Sequence, residues 1–141
     1  MTRNSNVIES FKDLVGNKNV ITNKWGKEPF ITGWRYGKGE ALAVVKPGTL
    51  LEMWQVLKVC VKNDVSVIMQ AANTGLTGGS TPFGNNYERP IVIINTLRIT
   101  SIHLIKNAEQ IIALPGSSLY DLENILKPLN KEPHSVIGST S

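Results

Sequence analysis

Apolar residues at Val7, Ile8, Phe11, Leu14 and Val15 recur at helical spacing and predict a helix over residues 5–15, with Gly16 as its stop. A short apolar piece at 19–22 predicts a strand. Residues 23–40 lose any period: Gly26, Pro29, Gly33, Gly37 and Gly39 predict an extended loop, held down by the buried aromatic area of Trp25, Phe30, Trp34 and Tyr36. The pattern sharpens at residue 41. Residues 41–45, ALAVV, form an uninterrupted apolar run, as in a strand covered on both faces, and Pro47 and Gly48 end it. Thr49 and Glu52 have capping-box spacing, and the helix they open runs to about residue 63. Its apolar face is wide: Leu50, Met53, Trp54, Val56, Leu57, Val59, Cys60 and Val61. Residues 65–70 predict a second strand. Strand, helix and strand over 41–70 make a βαβ unit with parallel strands and a right-handed crossover. A third strand follows at 90–96, and 99–106 with 109–116 predict a hairpin turning near residues 106–109. The last helix begins at Ser118, with Asp121 completing a second capping box, shows Leu119, Leu122, Leu126 and Leu129 on one side, and is limited by Pro128.

These elements define an α+β fold with a small, mainly parallel sheet and flanking helices. At 141 residues the chain has the length of about one domain. Its end falls inside a Gly/Ser turn after HSVIG, where a domain would ordinarily close on a strand or a docked helix, so truncation is expected. The formal charge of +4 comes from 15 Lys and Arg against 11 Asp and Glu. The positive residues are scattered, which gives no nucleic-acid footprint and leaves only mild attraction to anionic lipids or ligands. Cys60 is alone, so no internal disulfide exists; within VLKVCVK it reads as a small buried hydrophobe rather than a nucleophile. The first ten residues lack the apolar centre of a signal peptide, and no run reaches 18 apolar residues. The expectation is an intracellular protein whose membrane contact, if it has any, is peripheral.

One stretch stands apart. Residues 70–86, QAANTGLTGGSTPFGNN, carry Gly75, Gly78, Gly79 and Gly84 and no charged side chain. The stretch leaves the carboxyl end of a predicted parallel strand, where α/β proteins hold ligands. Glycine permits positive φ and close approach, and successive main-chain N–H groups converge on an anion. Thr74, Thr77 and Ser80 offer hydroxyl donors. Known phosphate loops do not match: there is no Lys for a Walker A pattern, no G-x-G-x-x-G, and Pro82 stands where a nucleophile elbow needs Gly. Composition leaves two readings open, a plain surface loop and a main-chain anion cradle.

The ordered run from Gly33 through MQAANTGLTGGSTP to RI (residues 98–99), with ALPGSSLYDLENILKPLNKEPHSVIGSTS, resembles the amino-terminal part of the bacterial quinone-dependent D-lactate dehydrogenases, flavoproteins of the vanillyl-alcohol-oxidase (PCMH) type. The likeness covers all but about the first twenty residues. The wider family's loop reads R-G-x-G-T-x-x-x-G; here Gln70 replaces the Arg, and Ala71 and Asn73 replace two glycines. The resemblance implies that residues 1–141 are the first half of a PCMH-type FAD-binding domain. It implies that Ala71, Ala72, Asn73, Thr74 and Gly75 wrap the FAD pyrophosphate, that Gly79 and Ser80 complete the cradle, and that Gly138 approaches the flavin. A second half, a substrate cap and a membrane-facing segment are expected after Ser141. The implied activity is oxidation of D-lactate to pyruvate with electrons passing through FAD to quinone, at the cytoplasmic face of the inner membrane, as a peripheral protein. No catalytic residue is implied within these residues. Two alternatives stay open: an FAD oxidoreductase for another 2-hydroxy acid such as glycolate, and a free-standing interaction half-module that needs a partner to hold FAD.

Among single residues, His134 has the right pKa range for acid–base work but no visible partner. His103, alternating with Ile102 and Leu104, reads as the solvent side of a strand. Arg35 and Tyr36 read first as anchors of their loop. Met53 and Trp54 read as core, Asn85 and Asn86 as turn formers. Asp13, Asp64 and Asp121 are too dispersed for a metal site.

Overall fold

The computed structural model describes residues 3–133. Helix α1 (Arg3–Val15) leads through a 3₁₀ turn (Asn17–Asn19) to strand β1 (Val20–Ile21); helix α2 (Lys24–Ile31), strand β2 (Ala43–Val45), helix α3 (Leu50–Lys62) and strand β3 (Ser66–Gln70) follow. Strand β4 (Ile91–Asn95), the hairpin β5 (Ile102–Ile105) with β6 (Gln110–Ala113), helix α4 (Leu119–Leu126) and a 3₁₀ turn (Lys127–Leu129) complete the order.

Strands β1 to β4 form one sheet in the order β1-β2-β4-β3. β2 and β3 each pair in parallel with β4, and β1 adds an antiparallel edge. The predicted βαβ unit is therefore present, with β4 inserted between its two strands. β5 and β6 make a separate antiparallel pair.

The continuous apolar runs have the expected cause. Ala43, Val44 and Val45, and Ile91 to Asn95, are buried on both faces of the sheet. On one face Ala43, Val45, Val92 and Ile94 meet Val7, Phe11 and Val15 of α1 and Val56 and Cys60 of α3. On the other, Val44, Ile91 and Ile93 meet Ile31 and Ala41, with Phe30 and Ile68 alongside. Alternation along each strand thus feeds two cores. Burial pushes the Cys60 thiol up to about 11, as expected of a small core residue.

Several expectations need correction. Residues 24–31 are helical. Asn23 caps this helix by accepting from Gly26 N at 2.7 Å. Gly26 is there for space, since a Cβ would lie 2.6 Å from Ile21 Cγ2. The aromatic residues do not pin the 23–40 segment: Trp25 is 86% exposed, Trp34 81% and Tyr36 66%, and only Phe30 packs against the core. Main-chain bonds do that work instead, with Gly33 N donating to Gly37 O, Gly39 N to Ile31 O and Glu40 N to Gly84 O. Trp54 lies outside the core, half-exposed with the Lys58 ammonium 4.3 Å from its ring centroid, while Met53 packs inward. The first capping box is half formed: Thr49 accepts from Glu52 N, but Glu52 Oε2 accepts from Gly48 N. The second is complete at Ser118 and Asp121.

Candidate functional site

The two adjacent parallel strands β3 and β4 end in register on Gln70 and Asn95, and Thr96 follows. Each apolar run thus finishes on a buried amide or hydroxyl at the carboxyl edge of the sheet, with Gln70 3%, Asn95 0% and Thr96 3% exposed. The glycine-rich segment leaves from this edge, and these polar ends hold it. Gln70 Nε2 donates to Ser80 O and to Phe30 O, both at 2.8 Å. Asn95 Nδ2 donates to Ala71 O at 2.9 Å and lies 3.4 Å from Gln70 Oε1. Thr96 N donates to Gln70 O.

Asn73 takes a left-handed backbone conformation, φ 57°. Asparagine is one of the few non-glycine residues that enters this region readily, which accounts for its presence where the family pattern has glycine. Its side chain is fully engaged: Nδ2 donates to Thr32 O at 3.0 Å and Pro29 O at 3.3 Å, and Oδ1 accepts from Ser80 Oγ at 2.8 Å. Beyond the loop, Thr81 and Pro82 are buried, and Gly84 bridges Gly39 in parallel. Residues 81–90 then return to the start of β4.

The consequence is a segregation of donors from acceptors. Carbonyls of Ala71, Gly78 and Ser80 are bonded inward. Among the described residues, no main-chain N–H from residue 71 to residue 80 donates to an acceptor in the chain. In the neighbouring segment Lys38 bonds Glu28 at 2.6 Å and holds that carboxyl below its ordinary value. A row of unpaired N–H donors with no charged side chain within it has the chemistry to receive an anion through the backbone.

Glycines test whether a large polyanion fits. Positive φ falls on Asn73 and Gly78, not on Gly75 or Gly79. A Cβ at Gly75 would meet nothing nearer than Ser80 Oγ at 3.8 Å, and one at Gly79 nothing nearer than Thr77 Oγ1 at 3.9 Å. The fold itself would accept a side chain at both. What glycine keeps there is open space beside free N–H groups, and the residues present fit a diphosphate.

The structure therefore brings Ala71, Ala72, Asn73, Thr74, Gly75, Gly79 and Ser80 together on one sheet edge. Gly138 and His134 lie outside the described residues. His103 is on the exposed side of β5, 2.9 Å from Ser101 Oγ. Among the described residues, no group of three or more His, Cys, Asp or Glu could hold a metal ion. Sequence reasoning missed Asn95 and Thr96, and saw Gln70 only as a departure from the family pattern. The signal available was a polar residue closing each of two otherwise apolar strands.

The mainly parallel sheet with helices on it has a fold of the PCMH type. Its likeness to the crystal structure of p-cresol methylhydroxylase has a TM-score of 0.71 at 17% identity, over 91% of this chain and 25% of that one. The chain belongs to the FAD-binding domain family, whose model matches residues 41–138. It is 60% identical over 134 residues to the quinone-dependent D-lactate dehydrogenase of Haemophilus influenzae, covering 95% of this chain. It is 52% identical over 139 residues to the enzyme of the same name from Escherichia coli, covering 99% of this chain. The chain spans 24% of the length of each of these curated relatives.

Proposed function

We propose that residues 1–141 are the first half of the FAD-binding domain of a respiratory D-lactate dehydrogenase, and that the main-chain amides of residues 71–80 hold the FAD diphosphate. The second half of that domain and the substrate cap belong to the rest of a longer polypeptide. One observation carries this reading: the run of main-chain N–H groups from Ala71 to Ser80 without an acceptor, on a loop with no charge of its own.

Ala71, Ala72, Asn73, Thr74 and Gly75 line the first turn of the cradle, with Gly79 and Ser80 closing it. Thr74 and Thr77 are exposed beside them, where their hydroxyls add donors. Gly138 approaches the flavin from the following segment. The chemistry FAD supplies when bound is two-electron oxidation of D-lactate to pyruvate, with the electrons delivered to quinone. This chain's share is to bind and orient the cofactor. Residues that position D-lactate belong to the cap.

Quinone is lipid-soluble, so the whole protein works at a membrane, as a peripheral protein on the cytoplasmic face of the inner membrane. No helix among the described residues is long and apolar enough to cross one.

The test is reconstitution of the full-length apoprotein with FAD, followed by hydrogen exchange across residues 71–80 and by D-lactate-dependent reduction of a soluble quinone. Slowed exchange confined to this loop and to the residues around Gly138, with D-lactate preferred over glycolate, is the expected result. Stoichiometric FAD with unchanged exchange in 71–80 overturns the site. Faster turnover of glycolate moves the substrate to another 2-hydroxy acid. Residues 1–141 alone should bind FAD weakly, since half of the cradle is missing while the cost of ordering remains.

A further inference from the structure

Gln70, Asn73 and Asn95 have a feature in common that the cofactor reading does not require. Every polar atom of the Gln70 and Asn73 side chains is turned to a partner within the protein, and none is left for a ligand. Gln70 spans three separate parts of the chain: its own strand end, Phe30 at the end of α2, and Ser80 on the far side of the loop. Its two acceptors are carbonyls, so the atom between them must be the NH₂ group. Asn95, completely buried, fixes Ala71 O where the loop begins, and Asn73 ties the loop's first turn to Pro29 and Thr32. No buried side-chain polar atom among the described residues lacks a partner.

We propose that Gln70, Asn73 and Asn95 form a carboxamide clamp that sets the shape of the 71–80 cradle before any cofactor arrives. They are positioning residues: they hold the loop's carbonyls and hydroxyl inward, and so leave its amides facing outward. This rests on the assignment of the diphosphate to that loop. A loop already ordered in the apoprotein loses little conformational freedom when it binds, and affinity rises accordingly. The clamp is uncharged, so it orders the loop without placing a cation beside the anion or a carboxylate against it. A glutamate at position 70 would match the glutamine side chain in size but lose both donors, leaving the carbonyls of Phe30 and Ser80 unmatched.

The experiment uses the full-length apoprotein and the variants Gln70→Leu, Gln70→Glu, Asn73→Gly and Asn73→Ala. Three readouts are needed: the FAD Kd by flavin fluorescence, the rate of thermolysin cleavage before Leu76 in the absence of FAD, and the apoprotein Tm. Gln70→Leu and Gln70→Glu should raise Kd about tenfold or more and speed cleavage at Leu76, which is half-exposed in the loop. Asn73→Gly keeps the left-handed backbone and should show a smaller rise than Asn73→Ala, which loses the backbone preference too. Variants that bind FAD as the wild type does, while wild-type amides 71–80 are protected by FAD, overturn the clamp and leave the cradle standing. Wild-type FAD binding without protection of 71–80 overturns the cradle, and the clamp with it. A rise in Kd matched by wild-type cleavage at Leu76 also overturns the clamp, because the loop would then be ordered without it. Should the Gln70 variants fail to fold, the Asn73→Gly and Asn73→Ala pair decides, since Asn73 lies outside the two hydrophobic cores.

Discussion

Two neighbouring segments, 33–40 and 71–80, look alike in sequence: irregular, rich in glycine, and set against each other in the fold. Gly78 apart, whose Cβ would lie 3.3 Å from Tyr36 O, their glycines differ in what lies before them. In the first, a Cβ at Gly33 would lie 2.0 Å from Tyr36 O, at Gly37 2.0 Å from Thr81 Oγ1, and at Gly39 2.5 Å from Gly84 O. Those glycines exist so that the chain can touch itself. In the second, Gly75 and Gly79 would meet nothing nearer than 3.8 Å. Their missing side chains leave open space in front of the backbone, where the proposed diphosphate would lie. Glycine content alone cannot separate a packed turn from a binding loop; the space in front of each Cα can.

The largest effect should come from the first segment. Gly37→Val places a branched side chain on a backbone with φ 88° and into Thr81, so it should destabilise the chain by about 3 kcal/mol or more. Urea unfolding measures this, and a shift under 1 kcal/mol would dissolve the contrast. Next, Gly75→Val in the full-length protein should cut FAD affinity at least about a hundredfold, or roughly 2.7 kcal/mol, while stability changes by only about 0.5 kcal/mol. Flavin content and Kd check it; a yellow protein with wild-type affinity removes Gly75 from the cradle.

Cys60 provides a reporter of the core that separates the two cases. Its thiol should stay unreactive in folded Gly75→Val and become reactive in Gly37→Val. It also carries a pH dependence. With the folded thiol pushed to about 11 from an ordinary 9.0, the unfolded chain ionises first, so stability is intact below pH 9 and falls as pH rises toward 11, by about 2 kcal/mol at pH 11. Cys60→Ala should lack this part of the slope in unfolding curves taken from pH 8 to 11. The smallest effect is expected from Trp34→Ser, within about 0.5 kcal/mol, because the ring is exposed and its segment is held by main-chain bonds.

What the sequence disclosed follows from the range of the forces involved. Residues 41–70 were legible because capping at Thr49, the apolar helix face and two buried strands are local patterns. Helix α2 was not, because Gly26 and Pro29 carry breaker signals; only the contact with Ile21 explains the glycine. The exposed Trp25, Trp34 and Tyr36 were misread because aromatic bulk says nothing about which side of a segment is covered. The place of the glycine-rich loop, at the carboxyl end of a parallel strand, was legible from its glycines and the strand before them. Its internal bonding was not: Gln70 reaches Phe30 forty residues away and Asn95 is twenty-five residues further on, separations that no local pattern encodes.

The connection from β3 to β4 carries no helix, although the strands it joins are parallel neighbours. It must run from one end of the sheet to the other, about 17 Å for strands of this length. Its first half is occupied at one end, while the exposed residues 85–88 hang at the other. A short peptide tag or fluorophore spliced between Asn85 and Asn86 would therefore ride on the molecule's far rim, giving a handle for immobilisation or distance measurement that leaves the carboxyl edge of the sheet untouched.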